Sequence, residues 1–511
     1  MRPSAAPEAF ALGEALARKG DWSGAEAAFR RADDLGHPAA ASHLGTLLQQ
    51  RGDTSGAEAA YRRADERGDP LGAFNLGAML MKSDHVAETE CVDDGGEAER
   101  AFWRADECGH AEAAAYLGML LERRGELPEA EAAYRRADQR GDAFGAFQLG
   151  TLLSQRHDLV EAEAAFRRAD ERGHPSGATN LGVILEDRGD LSAAEAAYRR
   201  ADQRGDAAAA FNLGGLLAER GDLDGAEDAY RRADERGDAA AAASLGVLLE
   251  GRGDLNGAED AYRRADERGD ADAAFNLGGL LAQRDDLAAA AAAYRNADDR
   301  GHPSGASNLG VLLEQCGDLA GAAAAFRRAD ERGDAAGAMN LGGLLSERGD
   351  LAGAEAAFGR ADRRGEAGGA VNLGVLLEQR GDLGRAEAAY RRADERGDAN
   401  GAFNLGALLA DRGDLDGAEA AFSRADQRDD AGGAANLGVL LEERGDLAGA
   451  EAAYRRADQR GDAVAALNLG ALLERRDPAA AEAAYRRAYE RGHPELAEMA
   501  QAALSHLRDA T

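Results

Sequence analysis

Asparagine keeps returning at one register of this chain, spaced by multiples of 32 residues: Asn180, Asn212, Asn276, Asn308, Asn340, Asn372, Asn404, Asn436 and Asn468, with Asn75 at the same place upstream. Other units carry Ala11, His43, Tyr116, Gln148 or Ser244 there. A carboxamide can donate to a carbonyl and accept from an N–H, so a row of them suits an extended peptide and reads its backbone rather than its sequence. The residue just before the asparagine varies freely (Thr179, Phe211, Ser307, Met339, Val371, Ala435), so the row is not simply the copying of a whole segment. The alternative is a surface or local capping role that recurs because the unit is duplicated.

A second pattern runs beside the first with a 64-residue period. One class of unit has Phe211, Gly215, Ala218; Phe275, Gly279, Ala282; Met339, Gly343, Ser346; and Phe403, Ala407, Ala410. The other has Ala243, Val247, Glu250; Ser307, Val311, Glu314; Val371, Val375, Glu378; and Ala435, Val439, Glu442. These are positions i, i+4 and i+7, one stripe of a helix. One reading is a duplicated two-unit block in which bulk at one site is matched by smallness at the next, as close packing requires. The other is a groove lined alternately by aromatic shelves and carboxylates, suited to a basic or mixed peptide.

No catalytic set accompanies these rows. His37, His174, His302 and His493 fall in turns, with no nucleophile or carboxylate at a recurring distance. No glycine-rich loop joins a strand to a helix, and no strand is predicted. The chain reads as a non-enzyme without cofactor. Nine extra residues fall roughly within 83–96, where His85 and Cys91 stand among Glu88, Glu90, Asp93 and Asp94. Their spacing matches no zinc pattern, and the segment is expected to be an elongated turn rather than a metal site. The many Arg-Gly-Asp tripeptides recur because helix caps recur. With no export signal expected, they do not predict adhesion.

The elements that carry these rows are helices. An aromatic precedes an Arg-Arg-Ala-Asp-like tetrad at Phe29, Tyr61, Phe102 and Tyr134, and from Tyr134 to Tyr454 every step is 32 residues. Such a period means a stacked array whose units complete one another's cores. In residues 206–238, Ala210, Leu213, Leu216 and Leu217 form one apolar stripe, and Leu223, Ala226, Tyr230 and Ala233 form a second. Gly221 and Gly237 suit the left-handed conformation that ends helices, and Asp222 and Asp238 suit the following N-caps. Short connections predict antiparallel neighbours. Glu227, Arg231 and Glu235 stand at i, i+4 spacing and read as a solvated outer face, each pair contributing ~0.3 kcal/mol.

Leu213-Gly214 in the first helix and Ala226, Tyr230 and Ala233 in the second resemble the tetratricopeptide repeat. The Gly-His-Pro openings at 173–175, 301–303 and 492–494 resemble Sel1-like repeats. The resemblance covers about residues 7–492. Two departures are Ala210 where that family has a large aromatic, and a 32-residue period where about 34 is usual. The resemblance implies that first helices line a concave groove, and some family members use a comparable asparagine ladder to hold extended peptides. The expected groove residues are therefore Asn180, Asn212, Asn276, Asn308, Asn340, Asn372, Asn404 and Asn436, with Phe211, Phe275, Phe403, Glu250, Glu314, Glu378 and Glu442.

Composition narrows the partners. The 511 residues hold 94 acidic and 61 basic side chains, a formal charge of −33. Nucleic-acid binders need a basic stripe, and an anionic membrane would repel this chain. The partner expected is a protein or peptide, basic or neutral. Lys19 and Lys82 are the lysines, a bias expected of a GC-rich bacterial genome. Cys91, Cys108 and Cys316 are odd in number and fit a reducing cytoplasm. No signal peptide or transmembrane run is expected.

The expected architecture is an all-α, right-handed solenoid of about fifteen antiparallel helix pairs. It has a tail at 1–6, repeats over 7–492, and a capping helix and tail at 493–511 that covers the last interface through Leu496, Met499, Ala500, Ala503, Leu504 and Leu507. The function expected is a protein-interaction scaffold; a structural or self-associating rod is the alternative. Nothing in the sequence sets the oligomeric state.

Overall fold

Gly-Asp ends one helix and starts the next along most of the chain. Gly221 and Gly237 have φ of 80° and 96°. The Asp222 carboxylate then accepts from the Gly225 N–H at 3.0 Å, and that of Asp238 from the Ala241 N–H at 2.8 Å. Each satisfies an orphan donor of the new helix's first turn. Three units place a non-glycine at the left-handed position, His157, Asp285 and Asp429, with φ of 61–65°. Replacing Asp222 and Asp238 together by Ala should cost about 1 kcal/mol at each cap. Chemical denaturation followed by circular dichroism measures the loss; a midpoint unmoved by both changes contradicts the capping role.

The computed structural model describes residues 5–84 and 95–510. Its 31 helices, numbered α1 (Ala5–Arg18) to α31 (Pro494–Ala510) in chain order, pair consecutively and antiparallel, about fifteen pairs in all, with no strand among the described residues. The helices fall into two compact units, residues 1–248 and 249–511. Most of the segment read as an insertion at 83–96 lies outside the described residues, between α5 (Pro70–Asp84) and α6 (Gly95–Glu107). The tail at 1–4 also lies outside them, and α1 begins within the stretch read as tail.

One pair shows how the core is made. In α13 (Ala207–Glu219), Ala210, Leu213, Leu216 and Leu217 are buried; in α14 (Leu223–Glu235), Ala226, Tyr230 and Ala233 are buried. Gly214 faces the Tyr230 ring, where an added Cβ would come 2.5 Å from Cδ1. The Leu-Gly of each first helix is therefore the seat of the repeat's own aromatic. Gly374 meets Tyr390 and Gly438 meets Tyr454 in the same way, both at 2.5 Å. After the Gly-His-Pro openings at 173–175 and 301–303 the first helix starts later: α11 (Gly177–Asp187) and α19 (Gly305–Gln315) have 11 residues against 13 in α13.

Arg-Arg-Ala-Asp does more than decorate an outer face. Its aspartate is buried, and in most units it binds two arginines of the next repeat, 30 and 34 residues on; Asp266 has Asn296 in place of the first. Asp362 takes Arg392 Nε at 2.9 Å and Arg396 Nη1 at 2.7 Å. The same clamp joins Asp138 to Arg168 and Arg172, and Asp426 to Arg456 and Arg460. In α30 (Pro478–Arg491) Tyr489 stands in place of the aspartate. The exposed i, i+4 pair read from the sequence is present as well, Arg231 to Glu227 at 2.6 Å.

Candidate first-helix binding face

The asparagine row lies half-buried along the first helices, Asn372 alone of the nine downstream members being exposed. Its neighbours are the aromatics of the preceding repeat. The amide of Asn212 lies beside the Tyr198 hydroxyl, Asn308 beside that of Tyr294, and Asn468 beside that of Tyr454. Gln148 stands the same way to Tyr134. These amides thus have a local partner on one side and partial exposure on the other.

Three of the four carboxylates are held by the tyrosine of their own repeat's second helix. Tyr262 donates to Glu250 Oε2 at 2.8 Å, Tyr390 to Glu378 at 2.6 Å, and Tyr454 to Glu442 at 2.8 Å. Burial, then the bond to a carboxylate, raises all three phenols above their ordinary range. The fourth, Glu314, has Phe326 in that place and so no hydroxyl to bind. In each of the three the tyrosine engages Oε2 of the glutamate.

The phenylalanines lean on their own repeat's aromatic: Phe211 on Tyr230 at 5.9 Å, Phe275 on Tyr294 at 5.6 Å and Phe403 on Phe422 at 6.0 Å between centroids. They also reach the next first helix. A Cβ on Gly432 would come 3.1 Å from Phe403, and one on Gly368 would come 2.9 Å from Met339 Sδ. In these two units, bulk on one first helix is received by glycine on the next, whereas Ala240 and Ser304 stand at that offset from Phe211 and Phe275.

Sequence reasoning left the turn histidines aside, yet they belong to this face. His37 stacks on Phe10 and His174 on Phe147, both at 4.1 Å; His110 stacks on Phe74 at 4.6 Å and His302 on Phe275 at 4.1 Å. The readable signal is one constant interval, the same from Phe10 to His37, from Phe147 to His174 and from Phe275 to His302. Burial lowers the pKa of His110 and His174 despite nearby carboxylates. Nδ1 of His110 caps a helix by accepting from the Ala113 N–H at 3.3 Å, a role that requires the neutral ring.

The face opens into a hollow of about 580 Å³ in the first unit, lined by Trp22, Phe29, His43, Leu47, Leu71 and Asn75 among others. His43 and Asn75 are successive members of the row, and Trp22 is 52% exposed. Among the described residues no three His, Cys, Asp or Glu side chains are grouped to hold a metal ion. The cluster from His85 to Asp94 lies outside those residues. Cys108 and Cys316 are exposed free thiols, and no described helix is long and apolar enough to cross a membrane.

Two family models, both described as tetratricopeptide repeat, match this chain. One covers residues 10–73, 147–207 and 371–435, the other 111–136, 207–232 and 303–328, together just over half of the chain. No curated protein matches it. Among solved structures it is similar to c5321, a protective antigen present in uropathogenic Escherichia coli strains displaying an SLR fold. That match has 20% identity and a TM-score of 0.51 over 89% of this chain and 96% of that one. A Sel1 repeat protein from Oxalobacter formigenes matches at 23% identity and a TM-score of 0.46, over 60% of this chain and 93% of that one. With its Leu-Gly seats, buried repeat aromatics and consecutive antiparallel pairs, the chain belongs to the tetratricopeptide repeat family and shares the fold of the Sel1-like repeat structures.

Proposed function

We propose that this protein is a non-catalytic interaction scaffold that holds an extended peptide or protein segment along its first helices, in the cytoplasm. The observation that carries the reading is the hollow of about 580 Å³ in which two row positions, His43 and Asn75, meet the half-exposed Trp22. It combines an apolar wall, an exposed aromatic and a carboxamide, the mixture that peptide sites use for affinity and orientation. Downstream, the half-buried amides offer further contacts at regular intervals. A basic segment is favoured by the charge of −33.

A structural rod is the second reading, and the tyrosine partners of Glu250, Glu378, Glu442, Asn212 and Asn308 favour it. The two separate experimentally. A partner segment captured from cells is titrated while the fluorescence of Trp22 is followed, with Trp103 replaced by Phe. The scaffold predicts a saturable shift. Replacing Asn276, Asn308 and Asn340 by Ala should weaken that segment about tenfold or more with helicity intact, because each lost amide contact removes roughly 0.5–1.5 kcal/mol. Recovery of this chain alone, with no shift and no loss in the triple variant, favours the rod.

A further inference from the structure

A glutamate clamp runs along the second helices. Glu195 receives Arg199 of its own helix at 2.7 Å and Arg220, at the end of α13, at 2.5 Å. Glu259 receives Arg263 and Arg284, both at 2.5 Å. Glu387 receives Arg391 at 2.6 Å and Arg412 at 2.5 Å. The carboxylate sits between two guanidinium groups, one from its own helix and one from the end of the next first helix.

In α20 (Leu319–Glu331) the glutamate of this clamp is Ala323, while both arginines remain, as Arg327 and Arg348. Both are exposed, and no described residue pairs with either side chain. The preceding unit shows what a simple loss looks like: there Ala291 replaces the glutamate, and Cys316 stands at the position that Arg284 and Arg348 hold in the units on either side. Among the described second helices, α20 is the one that keeps both arginines and lacks the carboxylate. Beside it lies a groove of about 480 Å³ against α21 (Ala335–Glu347) and α22 (Leu351–Arg363), with Arg327 at its edge and Leu341 and Leu345 in its wall. Arg360 and Arg364, also in that wall, are already held by Asp330.

We propose that Arg327 and Arg348 form a docking site for an acidic segment of a partner protein, whose Asp or Glu takes the place vacated at Ala323 and whose neighbouring apolar side chains enter the groove beside it. In the sister repeats the arginines at these two registers meet on one carboxylate, and guanidinium forks match a carboxylate in geometry as well as charge. Glu331 and Asp350 also line the groove, so the attraction for an acidic segment is confined to Arg327 and Arg348 while its apolar side chains enter the groove. This site lies on the second-helix side, so it stands or falls separately from the asparagine row.

The decisive variant is Ala323→Glu, which restores the clamp of the sister repeats without disturbing their packing. The probe is a fluorescein-labelled peptide of alternating Glu and Leu, with its Gln and Leu counterpart as control, read by anisotropy on the full chain at about 0.15 M salt. The Glu peptide should bind, and its affinity should fall at least tenfold in Ala323→Glu and in Arg327→Ala/Arg348→Ala. The thermal midpoint of Ala323→Glu should be unchanged or raised. Equal binding of the Gln peptide, or undiminished binding to folded Ala323→Glu, overturns the proposal. Displacement by millimolar inorganic phosphate would reduce the site to a general anion site and overturn it too. So would a dimer of the wild-type chain that Ala323→Glu dissociates, since the occupant would then be a second copy.

Discussion

Asp362→Ala should lower the stability of the array by about 3 kcal/mol, the largest effect expected of any single substitution described here. The Asp362 side chain is 6% exposed and accepts from Arg392 and Arg396 at once. Arg396 also donates to the Asp362 carbonyl oxygen at 2.8 Å. Burial opposes ionisation of Asp362, but the bonds and charge of the two arginines outweigh it and hold its pKa below the ordinary carboxylate range. Removing it leaves two guanidinium groups facing an empty pocket. Because both are partly exposed they can turn toward water, which keeps the cost at the low end for a broken buried pair. The loss falls on one interface, between α22 and α24 (Leu383–Glu395), and in a nearest-neighbour array should stay there. Hydrogen exchange should accelerate across those helices and their connection while the distant repeats keep their protection. Glu355→Gln is the control: its partners Arg380 and Arg385 are about half exposed, so it should cost under ~1 kcal/mol. Equal costs for the two substitutions would show that burial of the aspartate contributes nothing.

The fold was legible because three signals agree in most units: apolar residues at helical spacing, glycine at the stop, and aspartate at the start. The aspartate clamp was not, because Ala-Asp-Glu after two arginines has the composition of a solvated helix face. Its trace was nonetheless present. The aspartate recurs at the same register of every second helix from Asp33 to Asp458. A buried-register carboxylate kept unit after unit, with arginines 30 and 34 residues on in most units, reports a contact between repeats. The glutamates of the proposed groove were misgrouped for a related reason. The 64-residue alternation drew attention, although the constant interval from each glutamate to the aromatic of the following helix is more informative. Glu186, Glu250, Glu378 and Glu442 each precede a tyrosine, whereas Ser154, Ser346 and Ala410 precede Phe166, Phe358 and Phe422. Tyr230 after Ala218, Tyr294 after Ala282 and Phe326 after Glu314 break the pairing, and Glu314 is therefore the carboxylate with most freedom for a ligand.

Acid should unfold this protein more steeply than its surface charge alone would. Asp138, Asp202, Asp330, Asp362, Asp394 and Asp426 share one arrangement: burial raises the carboxyl pKa, and two arginines lower it by more, leaving all six below the ordinary range. A carboxylate whose pKa is depressed by folding contributes stability that is complete above the unfolded value, about 3.9, and is lost as pH falls through the folded value. Between those limits the unfolded chain binds more protons than the folded one. These clamps should add up to roughly six protons to the uptake on unfolding. The thermal midpoint should hold between pH 7 and 5 and then drop ever more steeply below about pH 4. The histidines bend the curve slightly earlier: with His110 and His174 lowered by burial, their contribution is complete above about pH 6.5 and fades below it. Their loss is small beside that of six aspartates. The test is the dependence of unfolding free energy on pH for the native chain and for Asp362→Asn/Asp394→Asn. The double variant should be less stable at pH 7 and lose less on acidification, its slope below pH 4 falling by up to about two protons. If its slope matched that of the native chain, exposed carboxylates would govern the acid transition, and the clamps would contribute packing without electrostatic linkage.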